Sequence, residues 1–435
     1  MKVVVVGGGW AGLSAAVELC ARGVEVTLVE AGVELGGRAR EIRYHGRAFD
    51  NGQHVALGAY SRLLAKLRQI GVNPDEVFDR TPLEMHLSRP GGNDVVIRAP
   101  ALPAPFNLLA AVATAKGLHW SERWALLRCM RNMAVTGLDF VRDRTVEEWL
   151  IAERQPPLAV QAFWEPLCLA ALTTPPSRAS MRVFMRVMRD AFSHRRMGSD
   201  LLLIKRPISA AFPVPARRFI ENHGGNVVLG QRVSGLNISE GRCRGVRIGE
   251  DTIAADQVIL AVGPEDARRM LLDCGGTEAL VGKMVGIFYE PICTVFLRYP
   301  RALDIGFPMV GLLEMTGQWL FDHSPWGVDG LIAVVISGGG KHMRLERQAL
   351  GQKVAQELAE RFPDWPKPEE ITVFREKRAA LACRVDVDRL RPGNDTPIAG
   401  LWLAGDYTYS RYPSTLEAAV RSGEQCVERV MEAAN

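Results

Sequence analysis

A chain of 435 residues that is 47% hydrophobic is long enough for two or three domains, each with a core of its own. Lys and Arg total 53 against 49 Asp and Glu, a formal charge of +4 that is too small for a nucleic-acid binder as such. The eight cysteines are scattered, with no C-x-x-C and no metal-ligand spacing, so neither a disulfide scaffold nor a metal site is expected.

Val3 to Val6 reads as a first β-strand rather than the apolar centre of a secretory leader. No apolar stretch approaches the roughly 18 residues of a membrane span, and the cysteine pattern suits reduced thiols, so the expectation is a cytoplasmic protein. After the strand come Gly7-Gly8-Gly9-Trp10-Ala11-Gly12, a helical run, and Val26 to Val29 closing on Glu30. Gly7 permits a sharp turn, Gly9 lets backbone approach a pyrophosphate, and Gly12 with Ala16 lets helix and strand pack closely. The helix start around Ala11 supplies N–H groups to phosphates. Glu30, 18 residues beyond Gly12, suits a carboxylate that accepts from a ribose 2′-hydroxyl. Together these predict a dinucleotide site.

Leu35-Gly36-Gly37-Arg38-Ala39 follows the second strand, and Phe49-Asp50-Asn51-Gly52-Gln53-His54 follows the next hairpin. Gly37 and a charge-assisted contact from Arg38 suit the pyrophosphate of an extended FAD, with Gly52 and Gln53 further along it. With these motifs the chain resembles the amine oxidase and phytoene desaturase superfamily of FAD enzymes. The resemblance implies an α/β protein: a Rossmann-like FAD-binding domain of the glutathione-reductase/amine-oxidase type, interleaved with an α+β substrate domain. The FAD-binding domain is expected at 1–81, 206–273 and 396–435, and the substrate domain, with an apolar tunnel, at 82–205 and 274–395.

The first insertion reads mainly helical. Pro100 to Ala115 is apolar and proline-punctuated, and Leu126, Leu127, Met130, Met133 and Ala134 form an amphipathic stripe. Thr145-Val146-Glu147-Glu148 is a capping box, and Pro156-Pro157 stops that helix. From Arg182 to Arg232 basic residues prevail: Arg182, Arg186, Arg189, Arg195, Arg196, Lys205, Arg206, Arg217, Arg218 and Arg232, against Asp190, Asp200 and Glu221. Gly225 to Val233 resembles the family strand whose backbone, here Val233, contacts adenine, and Ala255 to Val262 the strand that returns to the FAD sheet. The second insertion offers strands at Ile292 to Leu297, Leu331 to Ile336 and Ile371 to Phe374, with a helix around Arg344 to Arg361. Ser337-Gly338-Gly339-Gly340 lacks the Lys-Ser/Thr pair of a phosphate loop and is taken as a turn.

Leu401 to Thr408 resembles the superfamily's C-terminal flavin motif, in which the Gly405-Asp406 carboxylate accepts from the ribityl chain. Thr415 and Leu416 then open the last helix, whose N-terminal dipole favours negative charge on a reduced ring. Glu165 to Pro176, Asp200 to Leu203, Phe212 to Ala216 and Tyr289 to Val295 are similar to the squalene-associated members, the hydroxysqualene dehydroxylases. Gly405-Asp406-Tyr407-Thr408 is closer to the carotene desaturase form. The resemblance implies reductive removal of the allylic hydroxyl of hydroxysqualene, a hydrophobic C30 isoprenoid, by reduced, non-covalently bound FAD. Protonation of the departing oxygen falls to His54 or Lys377, although His54 reads equally well as a histidine bonded to backbone, and Tyr407, Tyr409 and Tyr412 would line the approach to the ring. Three alternatives remain on the same scaffold: a carotenoid desaturase, an amine oxidase, or a non-catalytic FAD-bound lipid carrier. A C30 substrate implies a peripheral membrane partner and hand-over from other squalene-pathway enzymes. The apolar stretch 100–115 and the basic run 182–232 are the candidate membrane surfaces, with an ordinary buried helix layer and mixed surface charge as their rivals. The oligomeric state is not fixed by the sequence.

Overall fold

Val3, Val4, Val5 and Val6 are stiff at χ1 and all buried, so the strand Lys2–Val6 becomes the centre of a five-stranded parallel sheet. The computed structural model describes residues 1–44, 47–137, 142–192, 198–409 and 412–434. Across the parallel sheet the order is Asn226–Val228, Glu25–Val29, Lys2–Val6, Gln257–Leu260 and Leu401–Leu403. Strands from both ends and the middle of the chain thus share one hydrogen-bonded layer. The helices Trp10–Ala21 and Leu416–Ala434 cover one face. They approach closely because a Cβ on Gly423 would strike the Ala11 carbonyl.

The second large sheet has seven strands, in the order Glu370–Leu381, Tyr289–Arg298, Leu331–Ser337, Trp319–Asp322, Met309–Leu312, Glu84–Ser88 and Val95–Arg98. Alternation along its central strands divides two apolar faces. Cys293, Val295, Leu297, Ile332, Val334 and Ile336 pack under the helix Arg347–Arg361 through Leu350, Val354 and Leu358. Phe296, Phe321, Leu331, Ala333 and Val335 turn the other way, towards Val55 and Leu203. Those two residues lie on a small sheet in which Leu201–Ile204 pairs with both Val55–Leu57 and Phe78–Thr81. A helical layer built on Phe163, Trp164 and Phe184 closes the molecule.

The Thr145–Glu148 capping box forms as read: Glu148 N–H donates to Thr145 Oγ1 at 3.1 Å, and Thr145 N–H to Glu148 Oε2 at 2.9 Å. The stripe on Trp120–Thr136 differs. Ala134 is exposed, and Cys129 takes its place between Leu126 and Met133, because i, i+3 and i+7 share a face. The strand expected at 371–374 runs on to Leu381 through Arg375-Glu376-Lys377-Arg378, an edge position where charged side chains are tolerated. The helix expected from Arg344 starts at Arg347, after a 3-10 turn Lys341–Arg344. Gly338 has φ +79°, which fits the turn read at 337–340. Arg195 and Arg196 of the basic run lie outside the described residues.

Candidate active site

The first turn is set by backbone demands. Gly7 has φ +109°, and a Cβ there would lie 2.6 Å from the Ala261 carbonyl oxygen. A Cβ on Gly12 would strike the Gly7 carbonyl, whereas one on Gly9 would meet nothing nearer than Gly37 Cα at 3.9 Å. Gly9 therefore leaves backbone open to a ligand, at the start of a helix whose first N–H groups have no side-chain cap and where Ala11 is buried. The Glu30 carboxylate is fixed by N–H groups of Gly8 at 2.6 Å and Gly32 at 2.7 Å. Gln231 N–H donates to the Glu30 carbonyl at 3.0 Å, which brings the 231–233 segment, with Val233 3% exposed, alongside this turn.

Arg38 reaches the seven-stranded sheet and the C-terminal motif together. It pairs with Asp406, donates to the Ala379 carbonyl at 3.2 Å, and lies 5.6 Å from the Tyr289 ring centre. Asp406 also accepts from Ser414. Burial alone would raise the Asp406 carboxyl, but the Arg38 charge and the bonds from Arg38 and Ser414 outweigh it and hold the group below its ordinary value. Gly405 N–H donates to Ser422 Oγ at 2.8 Å, and Thr408 Oγ1 lies 2.6 Å from the same hydroxyl. Thr415 Oγ1 accepts from Ala418 N–H at 3.2 Å, capping the last helix, which begins at Leu416.

Sequence reasoning missed Arg391. Its guanidinium, 8% exposed, donates to the Asp406 carbonyl at 2.5 Å, Tyr407 at 3.3 Å and Tyr412 at 2.6 Å, and also to Tyr409. One cation thus fixes the loop that carries the Asp406 motif. The only signal in the sequence was an arginine shortly before the final strand.

Gly52 faces the strand Tyr289–Arg298: a Cβ on it would lie 3.8 Å from Thr294 Oγ1. Thr294 Oγ1 and Gln53 Nε2 are buried with no protein partner. His54 Nε2 lies 3.3 Å from Asn51 Oδ1, and burial pulls the imidazole down to about 4, so the ring is neutral at pH 7. Val55, the next residue, joins the aromatic sheet face of Phe296, Phe321 and Phe374. Lys377 is exposed, two residues before the Ala379 carbonyl that Arg38 holds, and Arg378 is paired with Glu265 at 2.5 Å.

The tyrosines separate. Tyr409 and Tyr412 are half-buried with rings 6.0 Å apart, and Arg421 lies 4.9 Å from the Tyr412 ring centre. Tyr407 departs from the expectation that it lines the approach. It is fully buried in the core beneath the parallel sheet with Val6, Leu260 and Leu381, its ring lying against Gly405, where a Cβ would strike it.

An open glycine approach, a fixed acid at the end of the second strand and two buried polar atoms without partners fit an extended flavin dinucleotide. Gly7, Gly9, Gly12 and Glu30 would hold its adenosine and phosphates, Gly37, Arg38 and Asp406 its middle, and Gly52, Gln53 and the start of the last helix its ring.

Comparison with known proteins agrees. The model of flavin containing amine oxidoreductases matches residues 10–431. A 15-cis-phytoene desaturase of Narcissus pseudonarcissus is 23% identical over 99% of this chain and 80% of its own. A hydroxysqualene dehydroxylase of Rhodopseudomonas palustris is 25% identical over 99% of this chain and 98% of its own. Among solved structures, an oxidoreductase from Methanosarcina mazei aligns with a TM-score of 0.76 at 17% identity, covering 99% of this chain and 100% of that one. Wild-type putrescine oxidase bound to putrescine gives 0.74 at 16% identity, covering 99% of each chain. Likeness at such identity speaks for the fold alone, an α/β flavoenzyme fold with a Rossmann-like sheet. The family match spans nearly the whole length, and this chain belongs to the flavin containing amine oxidoreductases.

Proposed function

We propose that this chain removes the hydroxyl group of hydroxysqualene reductively, giving squalene, with FAD bound non-covalently. The observation that carries the reading is the aromatic sheet face beside Gly52 to His54, built from Ile292, Phe296, Trp319, Phe321, Val335 and Phe374. Such a face suits a long hydrocarbon. Coverage adds support. Hydroxysqualene dehydroxylases match over 98–99% of their own length, whereas phytoene desaturases match over 78–80% of theirs at like identity.

The reaction breaks the C–O bond, adds hydride to the allylic carbon and carries the oxygen away as water with a proton. Bound FAD, once reduced, supplies the hydride. The aromatic face excludes water that would compete for an allylic cation, and its rings favour positive charge nearby. His54, a neutral imidazole beside Asn51, is the candidate for hydrogen-bonding the departing oxygen, with Lys377 as the alternative proton source. Non-covalent binding is supported by the cysteines: none lies between Asp406 and Glu417 and all eight are buried. Burial pushes the Cys383 thiol up to about 11, which keeps it protonated and a poor nucleophile.

Desaturation on the same scaffold is the second reading, favoured by Gly405-Asp406-Tyr407-Thr408. The deciding experiment is anaerobic incubation of the photoreduced protein with hydroxysqualene, phytoene and a polyamine in parallel. Flavin reoxidation with squalene formed is expected for hydroxysqualene alone. Reoxidation without squalene, or reduction of the oxidised protein by phytoene or polyamine, would overturn the proposal.

A further inference from the structure

The helix Trp120–Thr136 turns Ala125, Leu126, Cys129 and Met133 inward. Its outer face, at i, i+4, i+8, i+11 and i+15, carries Trp120, Trp124, Arg128, Arg131 and Val135, all exposed. Trp120 is 70% exposed and Trp124 58%, with their rings stacked at 6.4 Å, and Val135 is 78% exposed. Tryptophan is the side chain with most to gain from burial, so two of them paired in solvent mark a surface that is covered in use. Ile151, 70% exposed, extends the patch, because the chain just after it is tied to this helix. Arg128 donates to the Glu153 carbonyl at 2.7 Å, Asn132 to the Glu153 carboxylate at 2.8 Å, and Gln155 to the Ala125 carbonyl at 2.9 Å.

Charge decides what covers it. Arg128 and Arg131 stand on the exposed face with no acid among its five positions. The nearby acids are turned elsewhere: Glu122 caps its own helix by accepting His119 N–H at 2.7 Å, and Glu153 is held by Asn132. We propose that this face lies on a lipid bilayer with anionic headgroups, the indoles at the headgroup–acyl boundary and the guanidiniums on phosphates. An exposed helix face of indole and guanidinium suits an anionic interface, whereas a peptide segment would need a groove. The proposal does not rest on which substrate the flavin site takes.

It also relocates the membrane surface expected from sequence. Within the apolar stretch 100–115, Leu108 is only 2% exposed, and the large exposed apolar residues are Leu102 and Phe106. In the basic run, Arg186 pairs with Asp388, Arg189 with Asp190, Arg206 with Glu76 and Arg217 with Glu221. Much of that charge is already answered within the protein.

The test uses the FAD-loaded protein with phosphatidylcholine vesicles, with and without phosphatidylglycerol, by co-sedimentation and by quenching of tryptophan emission with brominated lipid. Binding to anionic vesicles that weakens with salt, with quenching, is expected. Arg128→Gln with Arg131→Gln should lower anionic partitioning about 25-fold, at about fivefold per residue. Trp120→Ser with Trp124→Ser should lower it at least about tenfold and remove most of the quenching. The exposed pair Leu272→Ser, at the end of another helix, and Phe288→Ser, just before a strand, serves as control and should change nothing. Undiminished binding of the double tryptophan variant would overturn the proposal. So would absent vesicle binding together with self-association that the tryptophan variant abolishes, which would make this face a contact between copies of the chain.

Discussion

The loop after Leu403 and the loop around Gly52 both meet the seven-stranded sheet, yet they are built on opposite plans. In the first, Arg391 binds four backbone carbonyls, and Asp406, Ser414, Thr408 and Ser422 satisfy one another or the backbone. In the second, Gln53 Nε2 and Thr294 Oγ1 are buried without protein partners. A buried unpartnered polar group costs roughly 1–3 kcal/mol, so the second loop is stable in this shape chiefly against a ligand that supplies the missing bonds. The Asp406 loop is shaped mainly by the protein, although the Tyr407 hydroxyl beside Gly405 is also buried without a partner, whereas the Gly52 loop would be completed by what it binds.

The strongest way to break that comparison is Arg391→Met. It leaves four carbonyls without their donor inside the protein, and a destabilisation of about 3–5 kcal/mol is expected in urea, with flavin lost on gel filtration. Arg391→Lys, which cannot span four acceptors, should recover only part. Unchanged stability would mean that the loop holds its own shape. At the open end, His54→Phe should leave flavin content intact and lower turnover about 100-fold if His54 bonds the departing oxygen. Because its imidazole ionises near 4, the wild-type rate should show no His54 inflection between pH 6 and 7. Turnover within twofold of wild type would remove His54 from the chemistry. Asp406→Ala and Glu30→Ala should each weaken FAD binding by roughly 1.5–3 kcal/mol, through lost charge-assisted bonds. Full occupancy of both variants in dilute solution would show that the cofactor lies elsewhere.

How much of this was legible follows from what each residue is needed for. Gly7, Gly9 and Gly12 could be read because the turn excludes every side chain there, and Glu30 because its distance from the turn is fixed by one helix and one strand. Arg38 and Asp406 were legible as types, but not as a pair 368 positions apart. Arg391 was legible only as an arginine before the final strand and not as the clamp of the loop, since its partners are carbonyls, which leave no trace in a sequence. Leu331 to Ile336 is apolar throughout and Ile292 to Leu297 is broken only by Thr294, so alternation gave little sign of which face met the site; the sheet order does. Tyr407 was misplaced because a motif gives order along the chain but not the direction in which a turn sends the next side chain.

The smallest expected effect lies beside Gly52. Asp50 Oδ1 accepts Ile208 N–H at 3.0 Å, yet burial pushes its carboxyl up to about 7, with the Glu41 charge adding to the rise. Its folded pKa is thus above its unfolded value of about 3.9. Between those two values the folded chain binds more protons than the unfolded chain, so this group's contribution to stability falls as pH climbs from about 4 to 7 and is level above that. Asp50→Asn keeps an acceptor for Ile208 N–H and removes the charge. The variant should match wild type near pH 4 and be more stable at pH 8.5 by about 1 kcal/mol, after allowing for solvent around a half-buried group. Thermal melts at the two pH values provide the measurement. A variant less stable than wild type at pH 8.5 would show that the ionised carboxylate is wanted here, and the Gly52 loop would then resemble the Asp406 loop in satisfying its own charges.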